Sequence, residues 1–172
     1  VNAVLIGFMG CGKTTVGRIV SQYLKWNFID TDDLIVEKTK ISISDIFKRY
    51  GEAYFRQIES QIIKDISDVD KCVISLGGGA VLNEQNINTL KGKGLVFYLK
   101  GSPETIIAHI GDNKDRPLLH TSNPYNTIKE LLNKRHPLYV KNSHYSIDID
   151  GKDPETIAHE IINILKDAER RK

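Results

Sequence analysis

The sequence predicts an α/β domain in which a parallel sheet is covered by helices on both faces. Three observations carry this expectation. Short apolar runs of strand length alternate with stretches of helical period along the chain. The first run ends in a glycine-rich turn that opens directly into an amphipathic helix. Two further runs end on Asp30 and on Gly77-Gly78-Gly79. In sheets of this kind, ligands gather at the carboxyl ends of the strands.

Asn2 to Ile6 is the first strand, stopped by Gly7. From Lys13 the period becomes helical, with Val16, Ile19, Val20, Tyr23 and Leu24 at i, i+3, i+4, i+7 and i+8. Asn27-Phe28-Ile29 forms a second strand that ends on Asp30. Helical stretches follow near Asp33–Lys38 and Ser44–Tyr50. Ser42 with Asp45 resembles a capping box, and Gly51 suits a helix stop. Phe55, Ile58, Ile62 and Ile66 line one face of a longer helix. Cys72-Val73-Ile74 is the third strand and Leu95–Leu99 the fourth. Ser102-Pro103-Glu104 starts a helix with proline at its first position. Ile110 to Pro124 is polar and aperiodic and reads as a mobile loop. Ile128, Leu131 and Leu132 mark the next helix. Tyr145 to Ile149 is the fifth strand, and Asp153-Pro154-Glu155 opens a last helix carrying Ile157, Ile161, Ile164 and Leu165.

A length of 172 residues fits one domain with a sizeable core. The 24 basic and 22 acidic residues leave a net charge of +2, so any positive potential is local and nothing suggests a nucleic-acid or membrane surface. The apolar runs are too short to span a bilayer, and the N-terminus enters the glycine turn too soon for a signal peptide. Cys11 and Cys72 are expected to be free thiols in a reducing cytoplasm. The five histidines form no zinc pattern.

Gly7 to Thr14 fits G-x-x-x-x-G-K-[ST] without a mismatch. A chance match in a chain of this length is roughly a one-in-two-hundred event. Glycines let the backbone wrap a phosphate with its N–H groups inward, and the helix start adds unpaired N–H groups and a positive dipole end. Gly10, Cys11, Gly12, Lys13, Thr14 and Thr15 are the expected triphosphate contacts. Lys13 suits the β- and γ-phosphates, and the Thr14 hydroxyl suits Mg²⁺. The Cys11 thiol lies near a helix N-terminus, which can activate a thiol, although a small residue at a variable loop position is the plainer reading.

A phosphate loop alone leaves the reaction open. A guanine-reading Asn-Lys-x-Asp has only a near miss at Asn113-Lys114-Asp115-Arg116. The third strand ends in Ser75-Leu76 and glycines instead of the metal-binding Asp of large ATPases. The candidate metal carboxylate is therefore Asp30, which also suits the cap of the next helix. A small-molecule kinase is the leading class.

At this point six motifs, in order, resemble shikimate kinase across nearly the whole chain. They are Gly12-Lys13-Thr14-Thr15, Asp30-Thr31-Asp32, Phe55-Arg56-Gln57-Ile58-Glu59, Gly77-Gly78-Gly79, Arg116-Pro117-Leu118-Leu119, and Arg135 with Tyr139. The resemblance implies the P-loop NTPase fold, a three-layer α/β/α arrangement with a five-stranded parallel sheet of order 2-3-1-4-5. It also implies one domain over 1–172, with substrate-binding helices at about 31–60 and a lid at about 110–124. The implied reaction is Mg-ATP-dependent phosphorylation of the shikimate 3-hydroxyl, in aromatic amino-acid biosynthesis.

On the same resemblance, Arg56 and Arg135 bind the shikimate carboxylate, which a guanidinium suits through paired bonds. Glu59, three residues after Arg56, would steady it. Asp32 accepts the substrate hydroxyls and takes the 3-hydroxyl proton. Gly77, Gly78 and Gly79 offer backbone to the substrate, and Thr14 with Asp30 holds Mg²⁺. Arg116 swings onto the ATP phosphates, so that Lys13, Asp32 and Arg116 form the catalytic set. Tyr139 is expected to pack. Two positions depart from the family pattern: His109 and Lys152 stand where arginines usually flank the adenine, and Lys152 is the expected nucleotide contact. The expected ligands are shikimate and ATP, for a cytoplasmic monomer that binds neither nucleic acid nor membrane.

Overall fold

The computed structural model describes residues 1–111 and 121–171. Five strands form one parallel sheet: β1 (Asn2–Ile6), β2 (Asn27–Asp30), β3 (Cys72–Ser75), β4 (Gly94–Lys100) and β5 (Tyr145–Asp148). Their order is β2-β3-β1-β4-β5, as the resemblance implied. The register places Val4 of β1 beside Ile74 on one flank and Val96 on the other.

The central strands alternate between two buried layers, because successive side chains leave opposite faces of a sheet. Ala3, Leu5, Val73, Phe97 and Leu99 pack against α1 (Lys13–Leu24) and α7 (Pro154–Arg170). Val4, Ile6, Ile74, Val96 and Tyr98 face the other way, towards α4 (Glu84–Lys91), α5 (Pro103–Ile110), α6 (Pro124–Asn142) and the far end of α3 (Ile43–Asp65). A third, smaller cluster of Ile35, Ile46, Phe55 and Ile62 joins α3 to α2 (Thr31–Thr39). It carries one wall of the site.

Helix starts follow local chemistry. The side chains of Ser42, Ser102 and Asp153 each accept a hydrogen bond from the N–H three residues on, at Asp45, Thr105 and Thr156. At Gly51 the chain leaves helical dihedrals, with φ 85° and ψ 173°, a conformation suited to glycine. The next helix begins at once, so 43–50 and 52–65 abut as one kinked α3 where the sequence suggested a stop. Helix α4 gave no clear sequence signal, since Ile87 and Leu90 are its only buried apolar residues. It is set by the Asn83 cap and by buried Asn86, whose amide donates to the Ala80 carbonyl at 3.0 Å. No helix among the described residues is long and apolar enough to cross a membrane.

Candidate active site

The donor half is made by the loop between β1 and α1. Gly10 (φ 77°) and Gly12 (φ 88°) take left-handed conformations that close the loop. A Cβ on Gly10 would also lie 2.6 Å from the Ile110 side chain. No side chain caps α1, so its first N–H groups face the loop's interior unclaimed by a capping side chain. Lys13 is buried, and its ammonium donates to the carbonyls of Gly7 (2.7 Å) and Phe8 (3.0 Å). These bonds hold the cation against the backbone of the glycine loop.

Thr14 and Asp30 meet across the gap between α1 and β2. The Thr14 hydroxyl donates to Asp30 Oδ2 at 2.8 Å. Asp30 Oδ1 accepts from the N–H groups of Asp32 (2.9 Å) and Asp33 (3.2 Å), capping α2. One Asp30 oxygen therefore caps α2, while the other accepts from the Thr14 hydroxyl. Burial, and then the neighbouring Asp30, raise the Asp33 carboxyl above its ordinary pKa.

Two adjoining cavities open here. The donor cavity, of about 440 Å³, is lined by Gly10, Gly12, Lys13, Thr14, Thr15 and His109, among others. The acceptor cavity, of about 610 Å³, takes Arg56 and Glu59 from α3, Arg135 from α6, Asp32 from α2 and the glycine turn after β3. Met9, Thr14, Asp30, Asp32, Gly77 and Gly78 line both.

The acceptor cavity holds a compact charge cluster. Arg56 donates through Nη1 to Glu59 Oε1 at 2.9 Å, while its Nε lies 3.5 Å from Glu52. Glu59 is fully buried. Burial pushes its carboxyl up to about 7; Arg56 and Arg135 pull against this, and Asp32 adds to it. Among the described residues, Glu59 Oε2 and Arg135 Nε are buried without a hydrogen-bond partner. Buried polar atoms of this sort are usually satisfied, so they suit a polar guest. Arg135 lies over the Phe8 ring at 5.6 Å and Arg56 over Phe55 at 5.1 Å, within range of a cation–π attraction.

The glycine turn is nearly saturated by protein. The Gly77 N–H donates to Thr31 Oγ1, the Gly77 carbonyl accepts from Ala80, the Gly78 carbonyl from the Tyr139 hydroxyl and the Gly79 carbonyl from Leu82. Among the described residues, only the N–H groups of Gly78 and Gly79 lack partners within this triplet. Side chains here would displace the charged groups: a Cβ on Gly79 would lie 2.2 Å from Arg56 Nη2, and one on Gly77 2.8 Å from Asp32 Oδ1.

The structure thus brings together Lys13, Thr14, Thr15, Asp30, Asp32, Arg56, Gly77–Gly79 and Arg135. Two expected residues stand apart. The Cys11 thiol is buried in the core, and the Cys11 N–H donates to the Phe8 carbonyl at 3.2 Å. Lys152 pairs with Glu160 at 2.8 Å, and Pro154 lines the donor cavity instead. Arg116 and most of the expected lid lie outside the described residues. His109 approaches the loop itself, with Nδ1 2.9 Å from the Gly10 carbonyl.

Sequence reading did not single out Glu52, Met9 or Phe47 as lining residues. Glu52 was within reach, because it stands four residues before Arg56 on one helix face. Met9 occupies a variable position of the glycine loop, and Phe47 carried no signal beyond being apolar. Tyr139, expected only to pack, also donates a hydrogen bond to the turn.

A family model described as Shikimate kinase matches residues 9–166. The chain is 45% identical over 161 residues to a shikimate kinase of Thermodesulfovibrio yellowstonii, covering 94% of this chain and 92% of that one. It is also 45% identical to one of Caldanaerobacter subterraneus subsp. tengcongensis, over 94% of each. The solved shikimate kinase of Acinetobacter baumannii in complex with shikimate superposes with a TM-score of 0.92 at 35% identity, covering 97% of this chain and 93% of that one. With the family model matching residues 9–166 and relatives 45% identical over nearly the whole chain, the protein belongs to the shikimate kinase family.

Proposed function

We propose that the two cavities are the donor and acceptor halves of one phosphoryl-transfer site, with Asp32 on their shared wall. The activity is the phosphorylation of shikimate by ATP, a step of aromatic amino-acid biosynthesis. The observation that carries the residue assignment is the adjacency itself: Asp32 and Gly78 line both cavities, so an acceptor hydroxyl at Asp32 lies beside the phosphate loop.

The loop N–H groups and Lys13 hold the triphosphate. Thr14 and Asp30 would hold Mg²⁺, which would supply positive charge against the triphosphate. Arg56 and Arg135 grip the shikimate carboxylate, and Glu59 sets the Arg56 plane. The Gly78 and Gly79 N–H groups and Asp32 take the ring hydroxyls. The 3-hydroxyl oxygen bonds to the γ-phosphorus, the bond from that phosphorus to the bridging oxygen breaks, and Asp32 receives the hydroxyl proton. Lys13 and Arg116 stabilise charge on the transferred group.

We read residues 1–172 as one domain, with acceptor-binding helices at about 31–60 and a lid at about 110–124. One chain supplies every assigned residue, which supports a monomer. Two free, buried cysteines support a cytoplasmic location, with no nucleic-acid or membrane partner.

ADP release with Mg-ATP, measured with shikimate, with gluconate and with no acceptor, tests the reading. Turnover with shikimate and a product carrying phosphate on the 3-oxygen are expected. Turnover with gluconate alone would overturn it.

A further inference from the structure

The Gly78 carbonyl is held from behind the site. Tyr139 is fully buried on α6, one helical turn after Arg135, and its hydroxyl donates to Gly78 O at 2.5 Å. Burial raises the phenol pKa, with Arg135 opposing, so the group remains a protonated donor. Its ring packs on Tyr98 at 4.9 Å between centroids. The Tyr98 hydroxyl is in turn 2.9 Å from His136 Nδ1, on the same helix as Tyr139. The Tyr139 side chain is therefore fixed by packing and aimed at one acceptor atom.

That atom belongs to the peptide group whose other end is the Gly79 N–H. A trans peptide is planar, and its C=O and N–H point in opposite directions. Anchoring the carbonyl towards α6 turns the Gly79 N–H away from Tyr139. Gly79 has no side chain to resist rotation of this peptide, and its N–H is one of the two donors in the triplet without a partner among the described residues.

We infer that Tyr139 is a positioning residue: its hydroxyl holds the Gly78–Gly79 peptide so that the Gly79 N–H stays aimed at the acceptor. This rests on the reading of the acceptor cavity given above. One helix, α6, then sets two acceptor contacts at once, Arg135 directly and the Gly79 amide through Tyr139. Neither contact touches the triphosphate.

The test is Tyr139→Phe, which keeps the ring and removes the hydroxyl. The KM for shikimate is expected to rise about five- to tenfold, the scale of one neutral hydrogen bond. The KM for ATP should stay within about twofold, and kcat should fall less than the shikimate KM rises. The Gly79 amide resonance should shift in the ¹⁵N–¹H spectrum of the unliganded variant. An unchanged shikimate KM, or equal losses for both substrates, would overturn the inference. If Tyr139→Phe does not fold, Tyr98→Phe, which frees the Tyr139 ring's neighbour from His136, should raise the shikimate KM about twofold; no change there would overturn it equally. Failure of the unaltered protein to phosphorylate shikimate would instead refute the functional reading, so the two failures are distinct.

Discussion

In the proposed site, the donor half comes from one stretch of chain, Gly7 to Thr15, while the acceptor half draws on four separate elements. The first works mainly through backbone: left-handed glycines, uncapped N–H groups and one lysine held on two carbonyls. The second works through side chains from α2, α3 and α6 around a glycine turn, with a buried carboxylate between two arginines. A phosphate presents the same oxygens whatever it is attached to, so a short loop is enough to hold it. A ring bearing a carboxylate and hydroxyls needs donors and acceptors on several sides, which one segment does not reach. The shared wall at Asp32, Gly77 and Gly78 is where the two designs meet.

Lys13→Ala should show the largest effect. A fall in kcat of about 10²–10³-fold is expected, the scale of losing one preorganised donor to transition-state charge. Shikimate binding by calorimetry should stay within about twofold. A matching loss of shikimate affinity would break the division between the halves.

Glu59 sharpens the acceptor side through pH. Its carboxyl is pushed from 4.5 up to about 7 in the folded chain. Between those values the folded protein keeps a proton that the unfolded chain releases. Stability therefore falls as pH rises through this window, by at most about 3 kcal/mol for this group. Glu59→Gln should flatten that part of the curve in urea unfolding from pH 4.5 to 8. Parallel curves for the two proteins would show that Glu59 is not the group responsible.

Arg56→Ala and Arg135→Ala should each raise the shikimate KM about 10- to 100-fold, as expected for a lost charge-assisted bond. The ATP KM should hardly move. Steady-state kinetics with each substrate varied in turn separates the two. The smallest effect belongs to Lys152→Ala. Its ammonium is engaged with Glu160 in a half-exposed pair, so the ATP KM should change by less than about twofold. A larger rise would return Lys152 to the adenine site.

The donor half was legible because its chemistry is contiguous. The loop motif, the helix that follows and Asp30 at the end of the second strand all lie within local pattern rules. Asp30 shows the limit of such rules: its position suits both a cap and a metal partner, and the structure shows the cap through one oxygen and a Thr14 hydrogen bond at the other. The pairing of Arg56 with Glu59 was legible for the same local reason, being one helical turn. Arg135 was placed only by family resemblance, since nothing local ties α6 to α3. Cys11 shows a different gap: its loop position does not tell that the side chain joins the core, with Sγ 3.6 Å from the Lys13 ammonium. Helix α4 was missed because its segment is mostly polar and is held by a cap and a buried asparagine.

By itself, the sequence determined the alternation of strands and helices, the phosphate loop and the identity of the charged groups, because period, glycine placement and residue type are properties of short segments. Only the tertiary structure decided that Glu59 lies buried between two arginines, that Lys152 faces Glu160, and that Tyr139 reaches across 61 residues to the Gly78 carbonyl. These depend on how separate elements pack, and packing is set by long-range burial that no local pattern encodes.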